Sequence, residues 1–196
     1  YFIIFHYVPM GGALIAFKDI SPFDGLRGFF DAPWVGFKHF ERFTSSVYFL
    51  DVIENTLIIS GLKILFGFPA PIILALLLNE VLRMSLKRIM QTISYLPHFI
   101  SWVVTAGMIT ALLATSGGLL TETINDFTGS NINFLGNKDY FVGILVTSHV
   151  WKTIGWSSII YLAAMSSIDP ALYESARIDG ANRLQMAWHI TLPSLS

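Results

Sequence analysis

Four stretches of the chain are apolar almost without interruption: residues 1–17, 56–78, 93–114 and 141–166. A helix needs about 20 mostly apolar residues to cross the hydrocarbon core of a membrane. The last three stretches are therefore read as complete spans and the first as the tail of one. Gly67, Pro69 and Pro71 recur inside the second run, a frequency of helix breakers that neighbouring helices and waters satisfy in a membrane bundle. The polar connections are then 18–55, 79–92, 115–140 and the segment from 167 onward. Counting turns puts 79–92 and 167–196 on one side and 18–55 and 115–140 on the other. The first side carries Arg83, Lys87, Arg88, Arg177 and Arg183, the second Lys18, Arg27, Lys38, Arg42 and Lys138. Charge thus divides evenly, and only the shorter connections of the first side favour it as cytoplasmic.

Within the connection 18–55, Trp34, Phe37, Phe40 and Phe43 fall at nearly helical spacing. They predict either an amphipathic helix along the outer interface, with aromatic rings at headgroup depth, or a plain connecting loop. The segment after the last span is more ordered. Asp169 followed by Pro170 predicts a helix start, because proline at the first helical position loses no hydrogen bond. That helix runs through Glu174 and Ala176 until Asp179-Gly180, where glycine tolerates a positive φ. A second short helix is expected from about Ala181 to His189, capped by Asp179, with Pro193 just beyond. Leu172, Ala176, Leu184 and Met186 are available to pack, and Glu174, Arg177 and Arg183 to pair.

Composition agrees with the spans. Hydrophobic residues make up 54% and charged residues 13% of the 196, too little polar surface to coat a soluble globule of this size. A net charge of −1 with no basic tract speaks against nucleic-acid binding. The absence of cysteine excludes disulfides, Cys-ligated zinc and thiol catalysis. The sequence contains no GxxxxGK[ST], HExxH or GxSxG, so no catalytic residue is assigned, and the scattered histidines suggest no metal site. The chain begins YFIIFHYVPM and stops at LPSLS; it is expected to be a fragment missing both termini, and a signal peptide is a poor reading of its start.

The module after the last span carries a signature. Glu174-Ser175-Ala176, three residues, Gly180, nine residues, Ile190, one residue and Leu192-Pro193 resembles the EAA loop of ABC importer permeases, departing only at Ser175, where alanine is usual. The longer run DPALYESARIDGANRLQMAWHITLP is similar to the carbohydrate-importer, maltose-permease type. With YVPMGGALIAFKD, WVGFKHF, NTLIIS, ILALLLNE, KRIMQTISYLPHFISWVV and WKTIGWSSIIYLAAM, the chain resembles polysaccharide permeases of the LplB kind over nearly its whole length.

The resemblance implies an all-α fold, a polytopic transmembrane helical bundle of the MetI-like type, in a bacterial inner membrane. It implies that residues 169–193 form a cytoplasmic coupling loop whose helices enter a cleft on an ATPase subunit. Glu174, Ser175, Ala176, Asp179, Gly180, Ala181, Ile190, Leu192 and Pro193 would carry that coupling, with Glu174 pairing a basic residue of the ATPase. The partners implied are cytoplasmic ABC ATPase subunits, a second permease, an extracytoplasmic solute-binding protein met by 18–55 and 115–140, membrane lipid and a saccharide substrate. No cofactor is expected on this chain, since ATP is used by the partner subunits.

Polar residues inside spans are candidates of their own. His149, Lys152 and Trp156 share a helical face. Facing a cavity, they would hydrogen-bond sugar hydroxyls or a uronate and stack on a pyranose. Facing the bundle, Lys152 would pair with an acid or backbone carbonyls and fix packing. Lys63 is read as structural, His98 as satisfying a local backbone break and Asn55 as a cap. The competing function is an ion-gradient-driven secondary transporter, which also uses ionisable groups at mid-membrane. An integral membrane enzyme would need an acidic or histidine cluster that the sequence does not contain.

Overall fold

A computed structural model describes residues 1–21, 23, 25–130 and 132–195, with Leu26 described through its backbone alone. The described residues are helical apart from connections and one isolated antiparallel bridge between Lys18 and Trp34. Helix α1 (Ile3–Phe17) is followed by α2 (Gly25–Asp31), α3 (Lys38–Thr44), α4 (Phe49–Gly67), α5 (Pro69–Asn79), α6 (Met84–Phe99), α7 (Trp102–Leu113), α8 (Leu119–Thr128), α9 (Lys138–Ser166), α10 (Pro170–Ile178) and α11 (Arg183–Met186). The chain forms two compact units, Tyr1–Leu57 and Ile58–Ser196.

In the first unit α1 ends at Lys18, whose ammonium is buried and donates to the carbonyls of Phe29 (2.8 Å) and Phe30 (3.2 Å). A cation there satisfies the last carbonyls of α2 and complements its dipole. Phe17 packs edge-on to Phe37 and tilted to Phe40. The spacing of Trp34, Phe37, Phe40 and Phe43 does not produce one continuous helix: α3 starts at Lys38, Gly36 takes φ +59°, and Trp34 is held in the bridge to Lys18. The glycine turn ends the periodicity that the ring spacing alone suggests.

The second expected span is longer than its apolar run. Pro69 opens α5 with one residue between it and the end of α4 at Gly67, and the two helices run on as one rod, Phe49–Asn79, of 31 residues and mean hydropathy 2.1. At 1.5 Å per residue it is about 46 Å long, more than the roughly 30 Å hydrocarbon core. Asn55 is inside this helix rather than capping it, because the helix begins at Phe49 and carries Asp51 and Glu54 beyond the apolar stretch. Only 17% of its apolar window is buried. So much exposed apolar surface suits lipid or further helices, not water.

The third expected span, 93–114, is not one straight helix. Helices α6 and α7 meet at 100°. Pro97 lacks an N–H, Ile100 turns extended at ψ 133°, and Ser101 restarts the chain as N-cap, its hydroxyl accepting from the Val104 N–H at 3.2 Å. Among the described residues Phe49–Asn79 is the one helix that is both long and apolar enough to cross a membrane by itself, and the bent pair passes that test only taken together. Helix α9 has 29 residues, capped by Asn137. It packs against both α5 and α6, with Ala75, Leu78, Val146 and Met165 buried.

Candidate functional site

Two constructions in the second unit bear on function: the module at 169–193 and the helix break at 97–101. In the module, the Asp169 carboxylate accepts from the Ala171 N–H at 2.9 Å and Pro170 opens α10. At the other end Gly180 takes φ +79°, the Gly180 N–H donates to the Arg177 carbonyl (3.1 Å) and the Ala181 N–H to that of Ala176 (2.9 Å). This pair of bonds is a Schellman turn, which needs a left-handed residue at the glycine position. A Cβ at Gly180 would meet nothing within 4 Å, so backbone conformation and not space requires glycine. Ala176 and Ala181 lie at the two small positions across the turn.

The second helix departs from expectation. Asp179 is the C-cap of α10 and does not cap the second helix. Asn182 does, through a capping box in which it accepts from the Gln185 N–H (2.9 Å) and its own N–H donates to the Gln185 side chain (2.8 Å). Helix α11 therefore starts at Arg183 and continues as a π-helical turn, Ala187–Thr191. Tyr173 and Thr191 hydroxyls lie 2.9 Å apart and tie the two short helices together. Glu174, Ser175, Asp179 and Pro193 are exposed, whereas Ala176, Ala181, Ile190 and Leu192 are partly buried. Arg183 pairs with Glu80 at 3.0 Å. Between the end of α5 and this module runs an open groove of about 780 Å³, lined by Leu77, Leu82, Tyr173, Glu174, Arg177 and Leu184 among others.

At the helix break, Lys152 of α9 is 6% exposed and its ammonium donates to the carbonyls of Pro97 (3.2 Å), His98 (3.1 Å) and Ile100. An ammonium has three donors, and all three are engaged. The Trp102 ring lies 5.3 Å from it. The predicted face is assembled, with partners that the sequence did not name: Trp156 stacks on His98 (centroids 4.6 Å, 5° between planes) and His149 lies parallel to Trp102 at 6.4 Å. The break's carbonyls are satisfied by Lys152 and not, as expected, by the His98 ring, whose Nδ1 is buried without a partner among the described residues. One turn beyond Lys152, Gly155 lets α9 approach α6 so closely that any Cβ there would collide with the Ser94 carbonyl. That contact was readable only as a glycine inside an apolar run. Lys63 is half-buried on α4. No group of three or more His, Asp or Glu among the described residues is placed to hold a metal ion.

The family model for the binding-protein-dependent transport system inner membrane component matches residues 67–196, from the last residue of α4 through both constructions. The chain belongs to this family. Membership makes it a polytopic transmembrane helical bundle of the MetI-like type, from a family of transport components rather than enzymes. It is 48% identical over 196 residues to the polygalacturonan/rhamnogalacturonan transport system permease protein YteP of Bacillus subtilis, covering 100% of this chain and 60% of that protein. It is 44% identical to protein LplB of the same organism, covering 100% of this chain and 60% of LplB. A crystal structure of a bacterial ABC transporter involved in the import of the acidic polysaccharide alginate matches with TM-score 0.87 at 45% identity, covering 99% of this chain and 63% of the matched one. The chain thus spans about 60% of the length of the curated relatives it matches.

Proposed function

We propose that this chain is part of a permease subunit in an ATP-driven, binding-protein-dependent importer of saccharides, multi-pass in a bacterial inner membrane. The observation that carries this is the module at 169–193. Two short helices are set at a fixed angle by the left-handed Gly180, with Glu174 and Arg177 exposed beside an apolar groove. Such a rigid, mixed surface suits docking into a cleft on another protein, where rim charges select register more than they add affinity. In this reading the module is cytoplasmic and Glu174, Ser175, Ala176, Asp179, Gly180, Ala181, Ile190, Leu192 and Pro193 form the coupling surface. The ATPases, a second permease and an extracytoplasmic binding protein complete the importer. A complex of the alginate transporter with an alginate pentasaccharide-bound periplasmic protein, at TM-score 0.85 and 43% identity, supports such an assembly.

The relatives' substrates support a uronate-rich saccharide. Within the bundle, Lys152 has no donor left for a substrate, and its part in the predicted path is to hold the break. Trp156, about half exposed and stacked on His98, is the group we assign to a passing sugar ring, with His149 two turns earlier on the same helix face. The fully engaged Lys152 also weighs against the gradient-driven alternative, which would use it as an ion-coupled site.

A photo-crosslinker at Glu174 of the full-length protein in its native membrane tests the proposal. Capture of a P-loop ATPase, lost on Gly180→Asp, is expected. Capture of lipid or of this protein alone, with saccharide uptake that follows an ion gradient and not ATP, overturns it.

A further inference from the structure

We infer that the Glu80–Arg183 ion pair is the strut through which the second coupling helix moves the long Phe49–Asn79 helix; the inference rests on the proposed coupling role of the module. Glu80 is the C-cap of α5, the end of that rod, and Arg183 is the first residue of α11. Their side chains meet at 3.0 Å across 103 residues of sequence. Each charge stands at the end of its own helix where the dipole disfavours it: a carboxylate at a C-terminus and a guanidinium at an N-terminus. Neither placement helps its own helix, and each is offset by the other. The arrangement therefore makes sense as a contact between helices and not as a local cap.

Beside the packing of α9 on α5, the pair is the direct polar link between the rod and the second helix of the module. Both residues line the open groove between α5 and the module, and among the described residues no other hydrogen bond or ion pair joins α5 to α11 or to the π-helical turn at its end. Apolar side chains on the two walls, Leu77 and Leu184 for example, leave the groove unfilled. With side chains 49% and 63% exposed, the pair adds little to folding stability. What it fixes is the position of one helix end against the other. Glu80 and Arg183 are thus positioning residues: a displacement of the docked module is handed to the rod through them.

The experiment uses the full-length protein assembled with its ATPases, second permease and binding protein in proteoliposomes, with Glu80→Arg, Arg183→Glu and the double reversal. The readout is saccharide transported per ATP hydrolysed. Each single reversal is expected to lower this ratio about fivefold, the factor that roughly 1 kcal/mol represents, with ATPase capture at Glu174 unchanged. The double reversal is expected to return to within about twofold of the parent, since the attraction is restored with its ends exchanged. A ratio unchanged in the single reversals, or a double as impaired as the singles, overturns the strut while leaving the coupling role of the module standing. Failure of the parent protein to capture an ATPase overturns both. Should a reversal reduce ATPase capture, Glu80→Gln and Arg183→Gln replace it under the same criteria, with loss in each single and no further loss in the double expected.

Discussion

The ammonium of Lys152 lies 3.2 Å from the carbonyl of Pro97, 55 residues away, at the corner where α6 turns by 100° into α7. The helix ends where Ile100 turns extended, and the lysine of another helix takes up the carbonyls left at that end. A cation in an apolar bundle is costly unless its donors are satisfied, and three carbonyls satisfy this one.

Lys152→Met therefore leaves the His98 and Ile100 carbonyls without their donor, while the Pro97 carbonyl keeps only the bond from the Ile100 N–H at 3.3 Å. The expected loss is on the order of 1–3 kcal/mol, seen as a lower melting temperature of the full-length protein in detergent and new protease cleavage near residue 100. Lys152→Arg should not restore the parent value, because a planar guanidinium does not reproduce three convergent donors. An unchanged melt for Lys152→Met would remove the lysine from the corner.

Gly155→Ala should be felt as strongly as many larger core changes. The obstacle is the Ser94 backbone, which cannot swing aside as a flexible side chain would. About 1–3 kcal/mol of destabilisation is expected, rising for Gly155→Val. Gly143→Ala on the same helix, where a Cβ meets nothing within 4 Å, is the control and should be near neutral in the same melt.

Gly180→Asp should leave membrane insertion intact and abolish ATP-coupled uptake. Strain at the left-handed position, about 1–2 kcal/mol, is enough to open the Schellman turn and change the angle of the docked helices. Gly180→Asn should retain more uptake than Gly180→Asp, since asparagine accepts the left-handed region at less cost. Normal uptake by normally expressed Gly180→Asp would contradict the role of the turn.

The Asp19 carboxyl is held below the ordinary aspartate range, first by the hydrogen bond and then by the charge of Lys38, 2.8 Å away. A lowered folded pKa contributes stability that is present above the unfolded pKa, near 4, and lost as pH falls through the folded value. Lys38→Met should raise the Asp19 titration midpoint back toward about 4, read by carboxyl NMR of the labelled protein. A midpoint that does not move would show that the pair does not persist in solution.

The two-helix module at 169–193 was legible because its signals are local. The Asp169 cap, the Gly180 turn and the helix after it are each determined by a few neighbouring residues. Even so, the cap of the second helix belonged to Asn182 and not Asp179, since a residue already committed to the Schellman turn is not free to start the next helix. The aromatic spacing at 34–43 left helix and loop open, and both form: α3 covers the later positions, while Gly36 and the bridge to Lys18 hold the earlier ones out of the helix. The apolar run at 93–114 showed a span's length but not its corner.

By itself the sequence determined that the chain is helical, apolar enough to belong in a membrane, and furnished with a two-helix module at 169–193. Run length, caps and glycine positions act within a turn or two of chain, so they can be read in order. Tertiary structure decided which carbonyls Lys152 serves, that Gly155 lies against Ser94, and that Arg183 reaches Glu80. Those partners are about 50 to 100 residues apart, and only the packing of α9 on α6 and of the module beside α5 brings their atoms within reach of one another.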